Sequence, residues 1–153
     1  MRDHENKETS PGRVLGIDYG AKRIGVSLSD PLEIIASPLV TLENAAGVMD
    51  EIRNIIRRET VRLVIVGMPL NLKGQKGRKA VEVEDFCDRL RSEIDCAVLP
   101  WDERFTTTMA KRSMIAGGVR RNDRRAMEGR IDSTAAAILL QSYLDSKKNS
   151  RVC

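Results

Sequence analysis

The chain has 153 residues, 41% hydrophobic and 3% aromatic, with a formal net charge of +4. That length suits one domain with a single core, and an apolar share of this size excludes a disordered chain. The scarcity of rings predicts an aliphatic core and argues against a single-strand binder that stacks bases on aromatic platforms.

Residues 1–12, MRDHENKETSPG, lack the apolar segment of a signal peptide and are expected to form a flexible polar tail on a cytoplasmic protein. They carry the only histidine, His4. A Ser–His or Cys–His pair within the domain is therefore excluded, and hydrolysis would rest on carboxylates, lysines or a metal.

RVLGIDYG reads as a strand ending in a glycine turn, and RIGVSLSD as a second strand with Ile24, Val26 and Leu28 alternating. The two predict a hairpin across Tyr19–Lys22, with Asp30–Pro31 stopping the second strand. A third short strand is expected over Ser37–Leu42. The period then changes: Val48, Met49, Ile52, Ile55 and Ile56 predict an amphipathic helix over 44–59. RLVIVGMP suits a strand covered on both faces. Its stretch Leu63–Leu70 is the longest apolar run, far short of the roughly 20 residues of a membrane span.

The loop NLKGQKGRK follows, and Val83, Phe86, Cys87 and Leu90 mark a second helix. CAVLP reads as a buried strand ended by Pro100. Cys87, Cys96 and Cys153 lack CxxC spacing, which predicts isolated thiols rather than a zinc site. Thr106–Thr108 can cap a helix running to Ala116, closed by Gly117–Gly118. Residues 119–130 read as an arginine-rich loop. A final helix is expected from Asp132, with Ile131, Ala135, Ile138, Leu139 and Tyr143 on one face. The order β-β-β-α-β-α-β-α-α predicts an α/β domain over 13–146, a mixed sheet flanked by helices, with 147–153 as a C-terminal tail.

Asp18 stands inside an apolar strand between Gly16 and Gly20, small neighbours that would let a ligand approach the backbone. An ionised carboxylate there is costly unless paired or metal-bound; the alternative is a turn aspartate paired with Lys22 or Arg23. Glu103, just past CAVLP, and Asp132, at the expected helix start, could each be acids favouring a positive helix end. The pleat would send Asp102 and Glu103 to opposite faces. As a set, the three acids sit where strand ends and helix starts converge on one edge of an α/β sheet. Converging carboxylates need a cation, and oxygen-only ligation suits Mg²⁺ or Mn²⁺.

Residues 111–130 hold seven basic side chains (Lys111, Arg112, Arg120, Arg121, Arg124, Arg125 and Arg130) against Asp123 and Glu128. That points to phosphate, whose oxygens match the guanidinium fork, with a plain solvated face as the alternative. Arg120–Arg130 is expected to be a mobile loop that tracks a nucleic-acid backbone without reading bases. The 71–78 loop, through its amides and the helix start behind it, could hold an anion, although it lacks the GxxxxGK[ST] pattern.

VLGIDYGAKRIGVSLSD, IVGMPLNLKGQKG, DERFTT and RIDSTAAAILLQSYL, in this order and spacing, resemble the YqgF/RuvX family. These are small bacterial proteins related to Holliday junction resolvases and described as pre-16S rRNA nucleases. The resemblance spans about residues 13–145. It implies an RNase H-like fold with a mixed five-stranded sheet, and Asp18, Glu103 and Asp132 as catalytic, metal-binding carboxylates. It also implies that Lys22, Arg23, Lys73, Lys76, Arg78, Arg104 and Thr107 lie around the nucleic acid. Two departures are Phe105, where the family has leucine, and a segment RRNDRRAMEGRID poorer in lysine than the family's.

The expected function is a Mg²⁺- or Mn²⁺-dependent nuclease acting on precursor rRNA. The alternatives are a DNA junction resolvase, which would need a two-fold dimer, and a non-catalytic RNA-binding assembly factor. GIDYGAKRIG also resembles the first phosphate-binding turn of actin-like and sugar-kinase ATPases, but the chain is short for their two lobes and shows no second phosphate motif.

Overall fold

The apolar runs pair into one sheet. The structure is a computed structural model and describes residues 12–71, 73–102 and 124–151, with side chains in the last helix described for 131–148. Strands β1 (Arg13–Asp18), β2 (Arg23–Ser29), β3 (Ala36–Glu43), β4 (Val61–Met68) and β5 (Ala97–Asp102) alternate with helices α1 (Val48–Arg58) and α2 (Arg78–Glu93). Helix α3 (Arg124–Arg151) follows. The sheet order is β3-β2-β1-β4-β5. The β1–β2 and β2–β3 pairs are antiparallel, and β4 and β5 run parallel to β1. This is the expected mixed sheet, with the predicted hairpin closing β1 on β2.

Pleating divides the core. Leu15 and Ile17 of β1, Val26 of β2 and Val64 and Val66 of β4 face α1 and α2, joining Ile52, Val83, Phe86 and Leu90 in an aliphatic layer. The alternate residues Val14, Leu63 and Ile65 pack against Leu140, Tyr143 and Leu144 of α3. Cys87 is buried in the first layer, and burial pushes its thiol pKa up, as a structural cysteine requires.

Four boundaries differ from the sequence reading, one of them at the C-terminal end, where α3 runs on to Arg151 and 147–151 are helical rather than part of the expected tail. Helix α1 begins at Val48 rather than 44, because Asn44 is used elsewhere: its amide donates to the Lys22 carbonyl at 2.9 Å. Strand β5 continues through Pro100 to Asp102 and is mostly exposed rather than buried. It is the sheet's outer strand, where proline costs no ladder hydrogen bond. Helix α3 begins at Arg124, so 124–130 are helical and Asp132 is not an N-cap. RRAMEGR is rich in helix formers and only Gly129 opposes it. The expected helix over Thr106–Ala116 and its Gly117–Gly118 stop lie outside the described residues. Among the described residues no helix is long and apolar enough to cross a membrane.

Small side chains bring α3 down onto the sheet. A Cβ at Gly16 would overlap Ser27 Oγ and come 2.8 Å from Leu140 Cβ and 3.0 Å from the Ala136 carbonyl oxygen. The fully buried Ser27 hydroxyl donates to that Ala136 carbonyl at 2.7 Å. At the far end Gln141 accepts from the Ala36 amide at 2.8 Å and donates to the Ile34 carbonyl at 2.9 Å. We expect Ser27→Ala to cost about 0.5–1.5 kcal/mol, since it removes a buried hydrogen bond between β2 and α3. Thermal unfolding should then shift down by about 2–4 °C per kcal/mol at this chain length. An unchanged Tm would mean that Ser27 does not anchor α3.

Candidate active site

Parallel strands deliver their C-terminal ends to one edge. There β1 ends at Asp18, β4 runs into the 69–77 loop and β5 ends at Asp102. Antiparallel β2 starts at that edge, with Gly25 paired opposite Asp18. Directly opposed residues share a face. Asp18 also lies two residues beyond Gly16, so its side chain belongs to the face that carries α3.

Helix α3 crosses this spot. A Cβ at Gly25 would overlap the Asp132 carbonyl oxygen and lie 3.0 Å from the Ser133 amide nitrogen. Asp132 is thereby brought to the strand position facing Asp18. Its carboxylate is 26% exposed, and Oδ2 accepts a hydrogen bond from Arg23 Nε at 2.9 Å. Arg23 thus pairs with Asp132, an interaction that the sequence reading did not foresee.

The glycines beside Asp18 serve packing rather than ligand access. Gly16 makes room for α3, and Gly20 for a tight turn in which a Cβ would overlap the Arg23 carbonyl. Gly25, which sequence reasoning missed, makes room for Asp132. The turn is tied from outside by Asn44, whose Nδ2 donates to the Gly20 carbonyl at 2.9 Å while its amide reaches Lys22. Lys22 is exposed, and Tyr19 turns to the other face and packs on Phe86 at 4.8 Å between centroids. A glycine at a paired strand position and an asparagine just past a strand end were the available signals.

The loop after β4 is organised around Asn71. Its Oδ1 accepts the amides of Lys73 at 3.0 Å and Gln75 at 2.8 Å, and its carbonyl accepts the Gly74 amide at 2.8 Å. Those three amides are occupied within the loop, which leaves only the start of α2 behind Gly77 of the expected backbone anion site. Lys76 pairs with Glu84. Lys73 and Arg78 are exposed, the latter opening α2 behind Gly77, which gives no side-chain cap.

Trp101 lies on the α3 side, edge-on to Tyr143 at 5.3 Å, and Asp102 follows it at the strand end. Glu103, Arg104, Thr107, Arg120 and Arg121 lie outside the described residues. Arg124, Arg125 and Arg130 belong to the turns of α3 before Asp132, with Arg124 roughly 12 Å along the axis from it. They therefore correct the expected 119–130 loop from Arg124 onward. Among the described residues no group of three potential ligands forms a metal cluster; of the proposed carboxylates, Asp132 has its backbone against Gly25, the strand partner of Asp18.

The family profile described as "RuvX: Holliday junction resolvase" matches residues 12–146. A protein of Roseiflexus sp. named "Putative pre-16S rRNA nuclease" is 42% identical, the match covering 92% of this chain and 99% of the relative. A protein of the same name from Caldanaerobacter subterraneus is also 42% identical, covering 90% and 99%. Among solved structures, Thermus thermophilus RuvC in complex with a Holliday junction substrate matches with a TM-score of 0.55 at 13% identity. That match covers 91% of this chain and 97% of RuvC. The Fowlpox virus resolvase bound to junction DNA gives a TM-score of 0.54 at 12% identity, covering 88% and 98%. At such identities the likeness speaks for the RNase H-like fold. With a family match running nearly end to end and relatives aligned over almost their whole length, the chain belongs to the RuvX family of Holliday junction resolvases.

Proposed function

We propose that this RuvX-family nuclease cleaves precursor 16S rRNA during 5′-end maturation, using Mg²⁺ or Mn²⁺ held by Asp18, Glu103 and Asp132. The observation that carries the reading is the seating of the Asp132 backbone on Gly25, the strand partner of Asp18. The donors are hard carboxylate oxygens, which suit these ions. When bound, the metal supplies an activated water and stabilisation of the leaving oxygen.

The chain's own residues position the substrate. Lys22, Lys73 and Arg78 are exposed cations at or beside the edge where the strands end. Arg23 stands beside Asp132, and Lys76, Arg104 and Thr107 complete the proposed surround. The curated names of the relatives favour RNA. The family description favours junction DNA, for which symmetric cutting would require a two-fold dimer. The RNA reading places the protein in the cytoplasm with ribosomal precursors. Purified protein offered precursor rRNA and four-way junction DNA, with and without chelator, separates the readings. We expect metal-dependent cutting of the RNA. Preferential cutting of the junction would transfer the function to DNA, and binding without cleavage of either would leave an assembly factor.

The basic run before Asp132 is proposed to track the phosphate backbone through Arg120, Arg121, Arg124, Arg125 and Arg130. Replacing the first four with alanine should weaken binding to RNA of any sequence. The slope of log affinity against log salt should flatten by about 0.7–0.9 for each lost phosphate contact. A salt titration of wild type and variant checks this; identical slopes would leave the run as a solvated face.

A further inference from the structure

The pairing of Arg23 with Asp132 differs from an ordinary surface ion pair because both backbones are held in place. Arg23 opens β2, paired with Glu43 of β3, and its carbonyl closes the Gly20 turn that Asn44 secures. Asp132 is fixed because α3 rests directly on Gly25, two residues further along the same strand. The guanidinium therefore meets the Asp132 carboxylate at this edge, Nε to Oδ2 at 2.9 Å.

We propose that Arg23 is the built-in counter-ion of the metal-free site: it neutralises Asp132 when no divalent cation is bound, and it must yield that carboxylate when one binds. The inference rests on the metal reading above. It adds that Arg23 opposes metal binding, first by occupying a ligand oxygen and second by placing a positive charge beside the incoming cation. Once displaced, the same guanidinium is freed at the mouth of the site, where a phosphodiester would take it. Metal and nucleic acid would then each favour the other's binding, since each removes Arg23 from the competing partner, and such coupling is reciprocal. A purely structural ion pair predicts the opposite sign: losing it would disorder Asp132 and weaken the metal.

The test is a calorimetric titration of Mn²⁺ alone into the full chain at low ionic strength, without nucleic acid. Arg23→Gln should bind Mn²⁺ about tenfold more tightly than wild type, the scale of one unit charge a few ångströms from a divalent ion near water. Arg23→Lys keeps the charge and should stay close to wild type. The gap between wild type and Arg23→Gln should narrow in high salt, where exposed charges are screened. If Arg23→Gln does not fold, Arg23→Met, which keeps the apolar stem, takes its place. Unchanged or weaker Mn²⁺ binding by the neutral variant would overturn the proposal. Asp132→Asn distinguishes the two levels: if Mn²⁺ fails to bind the wild type, or binds Asp132→Asn equally well, the metal reading itself falls and the counter-ion role falls with it.

Discussion

Asp18→Asn should abolish cleavage, by on the order of a thousandfold or more, while the protein stays folded and retains most of its affinity for nucleic acid. The magnitude is that of losing one preorganised charge aimed at the reacting group. The substitution keeps the size and hydrogen-bonding outline of the side chain and removes only its charge. Asp18 ends β1 on the face that carries Asp132. Two carboxylates brought to one place repel each other unless a cation stands between them. Neutralising one should therefore leave metal-free stability unchanged or slightly raised, even as metal affinity falls. Cleavage of precursor rRNA, fluorescence anisotropy with labelled RNA and thermal unfolding should be measured on one preparation. Cleavage at the wild-type rate would remove Asp18 from the chemistry. Loss of activity together with loss of fold would instead make Asp18 a structural residue.

Much of this edge was legible in the sequence because local pattern and final packing agree there. RVLGID reads as an apolar strand, RIGVSLS alternates as strands do, and a short glycine-containing turn joins them, so the hairpin and the place of Asp18 at a strand end follow from the residues themselves. The helix carrying Val83, Phe86, Cys87 and Leu90 was equally plain, and all four are buried. The site's depth was less legible because it depends on contacts between residues far apart in the chain. Nothing local to Gly25 announces that a helix more than a hundred residues later will rest on it. Likewise Gly16, beside an acid, reads as ligand access until α3 is seen filling the space. The helical face was only partly legible for the same reason: Ala135, Leu139 and Tyr143 are buried as expected, but Ile131 and Ile138 are only partly buried, while Ala136 and Leu140, not chosen by periodicity, are fully buried. A sheet presenting glycine and serine accepts a small residue at its closest approach. Arg124–Arg130 read as a loop because charge density obscured good helix propensity. Asn71 showed its type but not its effect, which is to take up amides that would otherwise have been free for an anion.

Gly25→Ala should be the most damaging alanine substitution among Gly12, Gly16, Gly20, Gly25, Gly47 and Gly77. The new Cβ would overlap the carbonyl of Asp132 and press on the Ser133 amide. Both are backbone atoms of a helix and cannot rotate aside as a side chain could. Helix α3 would have to lift, yet it is held by Ser27 on Ala136, by Leu140 over Gly16 and by Gln141 at the β2–β3 turn. The cheapest response is a tilt about those anchors that raises the end bearing Asp132. Overpacking of this kind costs about 1–3 kcal/mol, and more where the obstacle is rigid. Activity should suffer more than stability, because a shift of about 1 Å in a reacting group can cost about a hundredfold in rate. Gly77→Ala provides the stability control: a Cβ there meets nothing within 4 Å, so its Tm should fall much less. Thermal unfolding of both variants, with cleavage kinetics for Gly25→Ala, decides the matter. A Gly25→Ala protein as stable and as active as wild type would mean that α3 does not rest on β2 at this point, and the reading of Asp18 and Asp132 as one site would lose its structural basis.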